Sequence, residues 1–343
     1  MGGFEERGRK NNMNLSLSHI TLITTQKCNL SCKTCYINNN VKDELNIVNL
    51  EKSILAPFTN LGGKSVGFSG GEPLMYEWLF DAIRLAKQYN LFVSVVTNGV
   101  LLSFDIAKTL AQLGVNSLQI SLDSSDESYN DAIRGKGNKE MVVTAINNAV
   151  RAGLTPSLVA VPNISLLRGF ETYINEARQL KVRSIYLRRP IRKVNPVVIQ
   201  EEMTFNRDFL RKVQEMRFKW PNIIIASGDP LFNVLERDNN REKGSLIPMF
   251  SGCSAGVNSL AIWPNGIVTP CTKLFTPIGN VYHEALGKMW LESELLGKLR
   301  QREFHGKCGQ CSFRYLCGGC RASAFVNTLD VYGSDPLCYL NND

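Results

Sequence analysis

Thr25-Gln26-Lys27-Cys28-Asn29-Leu30-Ser31-Cys32-Lys33-Thr34-Cys35-Tyr36 sets three cysteines in a row with three and then two residues between them. Cysteine thiolates are the usual ligands of iron–sulfur clusters, and a cubane has four irons, so three thiolates leave one iron without a protein ligand. An open coordination position is where a metal centre does chemistry; a closed one is structural or carries electrons. The same residues would also serve a zinc knuckle or a disulfide with a leftover thiol, or reflect chance. What surrounds the motif decides among these readings.

Working outward, the chain alternates short β-rich runs with helical patterns from Ile20 onward. Strands are expected near 20–25, 64–69, 91–97, 116–121, 155–161 and 182–188, and amphipathic helices near 49–59, 76–89, 104–113, 138–152 and 169–180. That alternation is the pattern of parallel βα units. Six units without internal repeats predict an α/β fold, a partial (β/α)6 barrel, in which ligands sit at the carboxyl ends of the strands. The candidate motifs fall there. The cysteines follow the first strand; Ser69-Gly70-Gly71-Glu72-Pro73 follows the second, with glycines that allow close backbone approach. The third strand ends in Thr97-Asn98-Gly99 and the fourth in Ser121-Leu122-Asp123. As local signals alone, Asn-Gly is a turn and Ser-x-Asp a helix cap.

In this context the cysteine spacing resembles the signature of the radical S-adenosylmethionine (radical SAM) enzymes. The resemblance implies that the open iron chelates the cofactor's methionine end, and that the reduced cluster cleaves the sulfonium to a 5′-deoxyadenosyl radical that takes a hydrogen atom from the substrate. Gly70, Gly71 and Glu72 resemble the family's GGEP motif, which receives the methionyl ammonium. Asn98, Ser121 and Asp123 match patterns lining the cofactor pocket, the last two near the ribose or methionyl carboxylate. Tyr129–Gly135 and Val161-Pro162-Asn163 also resemble family segments, with Arg134 pairing a carboxylate or stabilising its loop. One departure stands out: relatives carry an aromatic before the third cysteine where this chain has Thr34, with Tyr36 after it.

The sixth strand runs into Arg188 and Arg189, whose guanidinium groups are candidates to hold substrate carboxylates bidentately. Arg192 and Lys193 read as a solvated basic loop. After a connecting stretch with a helix near 204–219 and a short strand at Ile223–Ala226, cysteine returns. Apolar alternation around Asn265-Gly266 signals a hairpin between Cys253 and Cys271. Cys308, Cys311, Cys317, Cys320 and Cys338 follow, making seven cysteines within 86 residues. A zinc ribbon would set its two knuckles roughly 15–20 residues apart; here five residues separate them. The region resembles a SPASM domain, the auxiliary-cluster extension of radical SAM maturases, though only two residues precede Cys320 where the family has three. By that resemblance Cys308, Cys311, Cys317 and Cys338 close one cluster, while Cys253, Cys271 and Cys320 hold another with three cysteines and an iron left open. The expected layout is a flexible start at 1–19, a radical SAM core at 20–200, a connecting region at 201–250 and the auxiliary domain at 251–343.

Composition fits this reading. No apolar run approaches membrane-spanning length and no signal-peptide core opens the chain, so a cytoplasmic protein with no membrane partner is expected. In a reducing compartment ten cysteines serve metals rather than disulfides. The formal charge of +8 tempts one toward nucleic acid, but three cubanes of about +2 each on ten thiolates would add about −4, and no basic stretch is interleaved with aromatics. No nucleic-acid partner is expected.

Two rival classes fit the sequence less well. Gly67-x-Ser69-x-Gly71 matches a hydrolase nucleophile elbow, yet the only downstream histidines, His283 and His305, lie amid the cysteine-rich extension. A protein that only carries electrons would not place a three-cysteine site beside a glycine-rich loop. The cofactors implied are therefore one radical SAM [4Fe–4S] cluster, two auxiliary clusters and S-adenosylmethionine, with flavodoxin or ferredoxin as reductant. The carboxy-terminal pattern is similar to those of peptide maturases and equally to those of enzymes altering haem-precursor side chains; a peptide substrate is preferred. With fewer than thirty residues ahead of Cys28, such a peptide is expected to arrive with a separate escort protein.

Overall fold

A computed structural model describes residues 16–37, 43–236 and 252–340. Ten strands form one sheet: β1 (His19–Thr25), β2 (Ser65–Gly70), β3 (Phe92–Thr97), β4 (Ser117–Ser121), β5 (Pro156–Ala160), β6 (Ser184–Leu187), β7 (Ile224–Ser227), β8 (Ser259–Ile262), β9 (Ile267–Thr269) and β10 (Gly279–Asn280). Their spatial order is β10-β9-β8-β1-β2-β3-β4-β5-β6-β7. The six expected strands lie side by side in sequence order, every pair parallel. This is the partial-barrel arrangement, and it runs further than the six units. β7, the short strand expected in the connecting region, adds parallel to β6.

At the other edge the sheet is completed from the far end of the chain. β8 pairs parallel with β1, from His19↔Ser259 to Leu22↔Ile262, and β8–β9 is the expected hairpin, turning at Asn265-Gly266 with Gly266 at φ +83°. The cysteine-rich region is thus built onto the first strand. The expected loose start also ends sooner than residue 19. Leu17 is fully buried and its N–H donates to the Leu61 carbonyl at 3.0 Å; residues 1–15 of that stretch lie outside the described residues, as do 237–250 of the connecting region.

Each strand splits its residues by period two. Ile20, Leu22, Val66, Phe68, Val93, Val95, Leu118, Ile120, Leu158, Ile185 and Leu187 are buried and belong to one apolar core. That core includes Ala82, Ile83 and Ala86 of the helix Leu79–Gln88, Val142 and Ile146 of Asn138–Arg151, and Tyr173 and Ile174 of Phe170–Gln179. The alternate residues point inward and are mostly polar: His19, Thr21, Ser69, Ser94, Gln119, Tyr186. They line a chamber of about 620 Å³. The barrel interior is therefore a polar-lined cavity, where a closed barrel would pack its centre with branched apolar side chains.

Some helices differ from expectation for local reasons. Pro73 starts a short 3-10 turn, Pro73–Met75, so the next helix begins only at Leu79. The sequence reads as a single helix near 284–301, but Ser293 accepts from the Leu296 N–H as an N-cap and parts Leu286–Glu292 from Glu294–Gln301. The helix Glu127–Arg134, capped by Asp126 on the Tyr129 N–H, was not expected.

Candidate cofactor and cluster site

The three-cysteine loop leaves β1 and lies across the carboxyl ends of β2 to β4. Two backbone bonds stitch it to the glycine loop: Gly71 N–H donates to the Thr25 carbonyl at 2.7 Å and Glu72 N–H to the Lys27 carbonyl at 2.8 Å. The approach is so close that a Cβ on Gly70 would stand near the Thr25 oxygen and one on Gly71 against Lys27 backbone. Glycine is thus required here by loop-to-loop packing before any ligand is considered.

Glu72 does not line the cavity. Its buried carboxyl accepts from Leu74 N–H (3.0 Å), Thr97 Oγ1 (2.7 Å) and Asn98 N–H (2.7 Å). Burial raises its pKa, with these hydrogen bonds pulling the other way. It braces the second strand's loop against the end of β3. Asn98 continues the brace: its amide donates to Asn29 at 2.8 Å and reaches the Cys28 sulfur at 3.8 Å.

Asp123 is buried between two partners, Arg134 Nε at 2.8 Å and Val161 N–H at 2.8 Å. Arg134 also faces Cys32 and favours its thiolate against the burial that raises its pKa. Lys33 N–H donates to the Ile133 carbonyl at 3.0 Å, so the unexpected helix Glu127–Arg134 is what anchors the middle of the cysteine loop. Cys28, Cys32, Cys35, Gly70, Gly71, Asn98, Ser121, Asp123 and Arg134 all line one cavity of about 900 Å³. Tyr36, Val161 and Asn163 line it too.

The other seven cysteines fall into two groups. Cys253, Cys271 and Cys320 line the polar chamber inside the barrel; no fourth cysteine does so among the described residues. Cys308, Cys311, Cys317 and Cys338 line a separate small pocket. Burial drives two of these thiols upward, Cys271 to about 11 and Cys320 to about 12. None of the ten cysteines is paired in a disulfide. The donor chemistry around them suits thiolate ligands of clusters. Four sulfurs accept an N–H from the residue two further on: Cys28 from Leu30 (3.5 Å), Cys271 from Lys273 (3.4 Å), Cys311 from Phe313 (3.4 Å) and Cys317 from Gly319 (3.3 Å). Such bonds stabilise a sulfur-borne negative charge and tune a cluster.

The two arginines after β6 separate. Arg189 is buried, its guanidinium bonded to Asp229 at 3.1 Å and Asp335 at 2.6 Å. Asp335 also accepts from Cys320 N–H at 2.7 Å, and its own N–H donates to the Cys308 sulfur at 3.4 Å. Arg189 therefore ties the core to both auxiliary cysteine groups, and its charge is already met. Arg188 faces the cavities. Sequence reasoning missed Lys273, whose Nζ lies on the same wall and 6.0 Å from the centre of the Tyr36 ring. It also missed the polar inner face, although the alternation His19-x-Thr21 and Tyr186-x-Arg188 signals it.

The model of the radical SAM superfamily matches residues 22–172, from β1 through the fifth strand. The chain belongs to the radical SAM superfamily. A second model, an iron–sulfur cluster-binding SPASM domain, matches residues 253–312. This radical SAM protein is 27% identical over 336 residues to an AdoMet-dependent heme synthase of Nitratidesulfovibrio vulgaris, covering 92% of this chain and 90% of that one. It is 27% identical over 330 residues to the mycofactocin maturase MftC of Mycolicibacterium smegmatis, covering 93% and 82%. In fold it is similar to Streptococcus suis SuiB bound to S-adenosylmethionine, with a TM-score of 0.75 at 19% identity over 95% of this chain and 77% of that one. It is an enzyme, and iron–sulfur clusters and S-adenosylmethionine are its cofactors. Among the described residues no helix is long and apolar enough to cross a membrane.

Proposed function

We propose that this radical SAM protein is a maturase that modifies a peptide or protein substrate, using one [4Fe–4S] cluster on Cys28, Cys32 and Cys35 and two auxiliary clusters. The observation that carries this reading is the adjacency of two cavities. One holds the three-cysteine loop and the other Cys253, Cys271 and Cys320, and they share a wall formed by Ser69, Val96, Arg188, Ile191 and Lys273. A substrate seated at that wall lies between the cofactor and an auxiliary cluster. When bound, the first cluster and S-adenosylmethionine supply a 5′-deoxyadenosyl radical, an oxidant for an unactivated C–H bond.

The chain's own residues do the positioning. Gly70 and Gly71 let the second strand's loop seat against the cysteine loop; Glu72 and Asn98 fix that contact. Ser121, Asp123 and Arg134 form the wall where the cofactor's ribose and methionyl carboxylate are expected. The aliphatic groups at the mouth, Ile164 (44% exposed) and Val198 (39% exposed), suit the side chains of an entering peptide. Cys308, Cys311, Cys317 and Cys338 would close one auxiliary cluster. Cys253, Cys271 and Cys320 would leave the other with an open iron facing the chamber. Electrons would come from a flavodoxin or ferredoxin.

The second reading is alteration of a tetrapyrrole side chain in a haem precursor, favoured by the match to a heme synthase across nearly the whole of both chains. Anaerobic reactions with S-adenosylmethionine, a reductant, and either neighbouring-gene peptides or haem precursors separate the two. Mass spectrometry showing loss of hydrogen or carbon dioxide from a peptide supports the first reading. The same loss from the tetrapyrrole alone replaces it with the second.

A further inference from the structure

Three of the six cations lining the two cavities already have an acid. Arg134 pairs with Asp123, Arg189 with Asp229 and Asp335, and Arg192 with Glu202. Lys33 is exposed on the outer loop. Arg188 and Lys273 differ. Both are half-buried, both line both cavities, and neither has a carboxylate at ion-pair distance among the described residues.

Their positions are set by neutral partners. Arg188 donates to Gln119 at 3.3 Å and lies 5.8 Å from the centre of the Tyr186 ring, while its Nε has no partner. Lys273 donates from Nζ to the Arg189 carbonyl at 2.6 Å. The Arg188 charge lies close enough to Lys273 to act on its ammonium. Two like charges held together away from water, without an acid, are costly unless something anionic joins them. A guanidinium with free N–H groups beside an ammonium matches a carboxylate, accepting from both.

We propose that Arg188 and Lys273 form an anion site on the wall shared by the two cavities, which seats a carboxylate of the substrate. The proposal rests on the radical SAM reading only for the identity of the bound molecule as substrate. The carboxylate would fix one end of that molecule, so that a neighbouring carbon faces the cofactor cavity on one side and the Cys253, Cys271 and Cys320 chamber on the other. A peptide's free carboxyl terminus and a tetrapyrrole propionate share this chemistry. Lys273 has a second possible use, offsetting thiolate charge at Cys271 and Cys320, and the test must tell these apart.

The experiment is a binding titration on reconstituted holoprotein without turnover, using two matched pairs of probes. One pair is iron coproporphyrin III and its tetramethyl ester, followed by absorbance. The other is a dansyl-labelled apolar heptapeptide with a free carboxyl terminus and its carboxamide, followed by fluorescence. In the wild-type protein at least one acid should bind tenfold or more tightly than its neutral partner, and added salt should erode that preference. The pair that shows it names the source of the carboxylate. R188Q and K273Q should each bring acid and neutral forms within about threefold, whereas R188K, which keeps the charge, should retain most of the preference. Iron content of each variant checks that the clusters are loaded. No acid preference in either pair, or a preference untouched in R188Q, overturns the proposal. A preference lost in R188Q but intact in K273Q overturns the two-residue site and leaves Lys273 to the thiolates. Cleavage of S-adenosylmethionine by the wild-type protein is measured apart, so its failure would strike the proposed function and leave the binding result standing.

Discussion

Replacing Gly71 by alanine would drive a methyl group into the backbone that launches the cysteine loop. The new Cβ would lie 2.7 Å from the Lys27 carbonyl carbon and 2.8 Å from the Gln26 oxygen, with the Lys27 oxygen nearer still. Ordinary carbon contacts begin at about 3.5 Å, so the two loops must part by roughly 1 Å. Gly71 has no positive φ, so backbone strain adds nothing and the whole effect is collision. The same seam carries the Gly71-to-Thr25 and Glu72-to-Lys27 bonds. Losing or stretching both, with half-buried groups left unsatisfied, costs about 2–4 kcal/mol. The penalty falls where the cofactor's methionyl end is expected. Affinity for S-adenosylmethionine, measured anaerobically by calorimetry on reconstituted protein, should therefore weaken at least tenfold, about 1.4 kcal/mol. The carboxy-terminal clusters should remain loaded. Gly297→Ala is the control: its Cβ meets nothing within 4 Å and it sits in a helix, so it should be neutral or slightly stabilising. A Gly71→Ala protein with wild-type melting and affinity within twofold would refute the packing argument.

Further outcomes follow from the same contacts. Arg189→Met should lower stability by about 3–5 kcal/mol, because it strands Asp229 and Asp335 in the interior; thermal melting checks this, and iron analysis should show poorer loading of the auxiliary sites that Asp335 braces. Asp123→Asn removes the carboxylate from Arg134 and should cost about 3 kcal/mol, with weaker S-adenosylmethionine binding in the same calorimetric assay. The cluster proposed on Cys253, Cys271 and Cys320, followed by spectroscopy in a Cys28, Cys32 and Cys35 triple alanine variant, should change its spectrum when an exogenous thiolate is added, since ligand identity tunes such centres. Two unresponsive clusters would point to a fourth protein ligand.

What the sequence made legible depended on how local each signal was. The strands showed because period-two alternation and turn residues are carried by neighbours, and the Asn265-Gly266 hairpin showed for the same reason. The grouping of the seven later cysteines came from the family resemblance and not from spacing, for Cys317 and Cys320 have two residues between them and line different pockets. β8 joining β1 could not be read, since no local pattern reports a pairing across some 240 residues. The helix Glu127–Arg134 was hidden because its short run is polar on most faces, with Asn130 its one buried residue. Glu72 and Arg189 looked like ligand-binding groups because a sequence cannot show that a charge is already satisfied inside. Lys273 was invisible for the opposite reason: its importance lies in the acid it lacks, which only the packed structure reveals.

The most direct test of the central claim is the conversion of S-adenosylmethionine to 5′-deoxyadenosine and methionine by anaerobically reconstituted, reduced protein. The wild-type chain should form 5′-deoxyadenosine. The variant with Cys28, Cys32 and Cys35 all changed to alanine should form none while keeping iron on its carboxy-terminal cysteines. Cleavage retained in that variant would contradict the account.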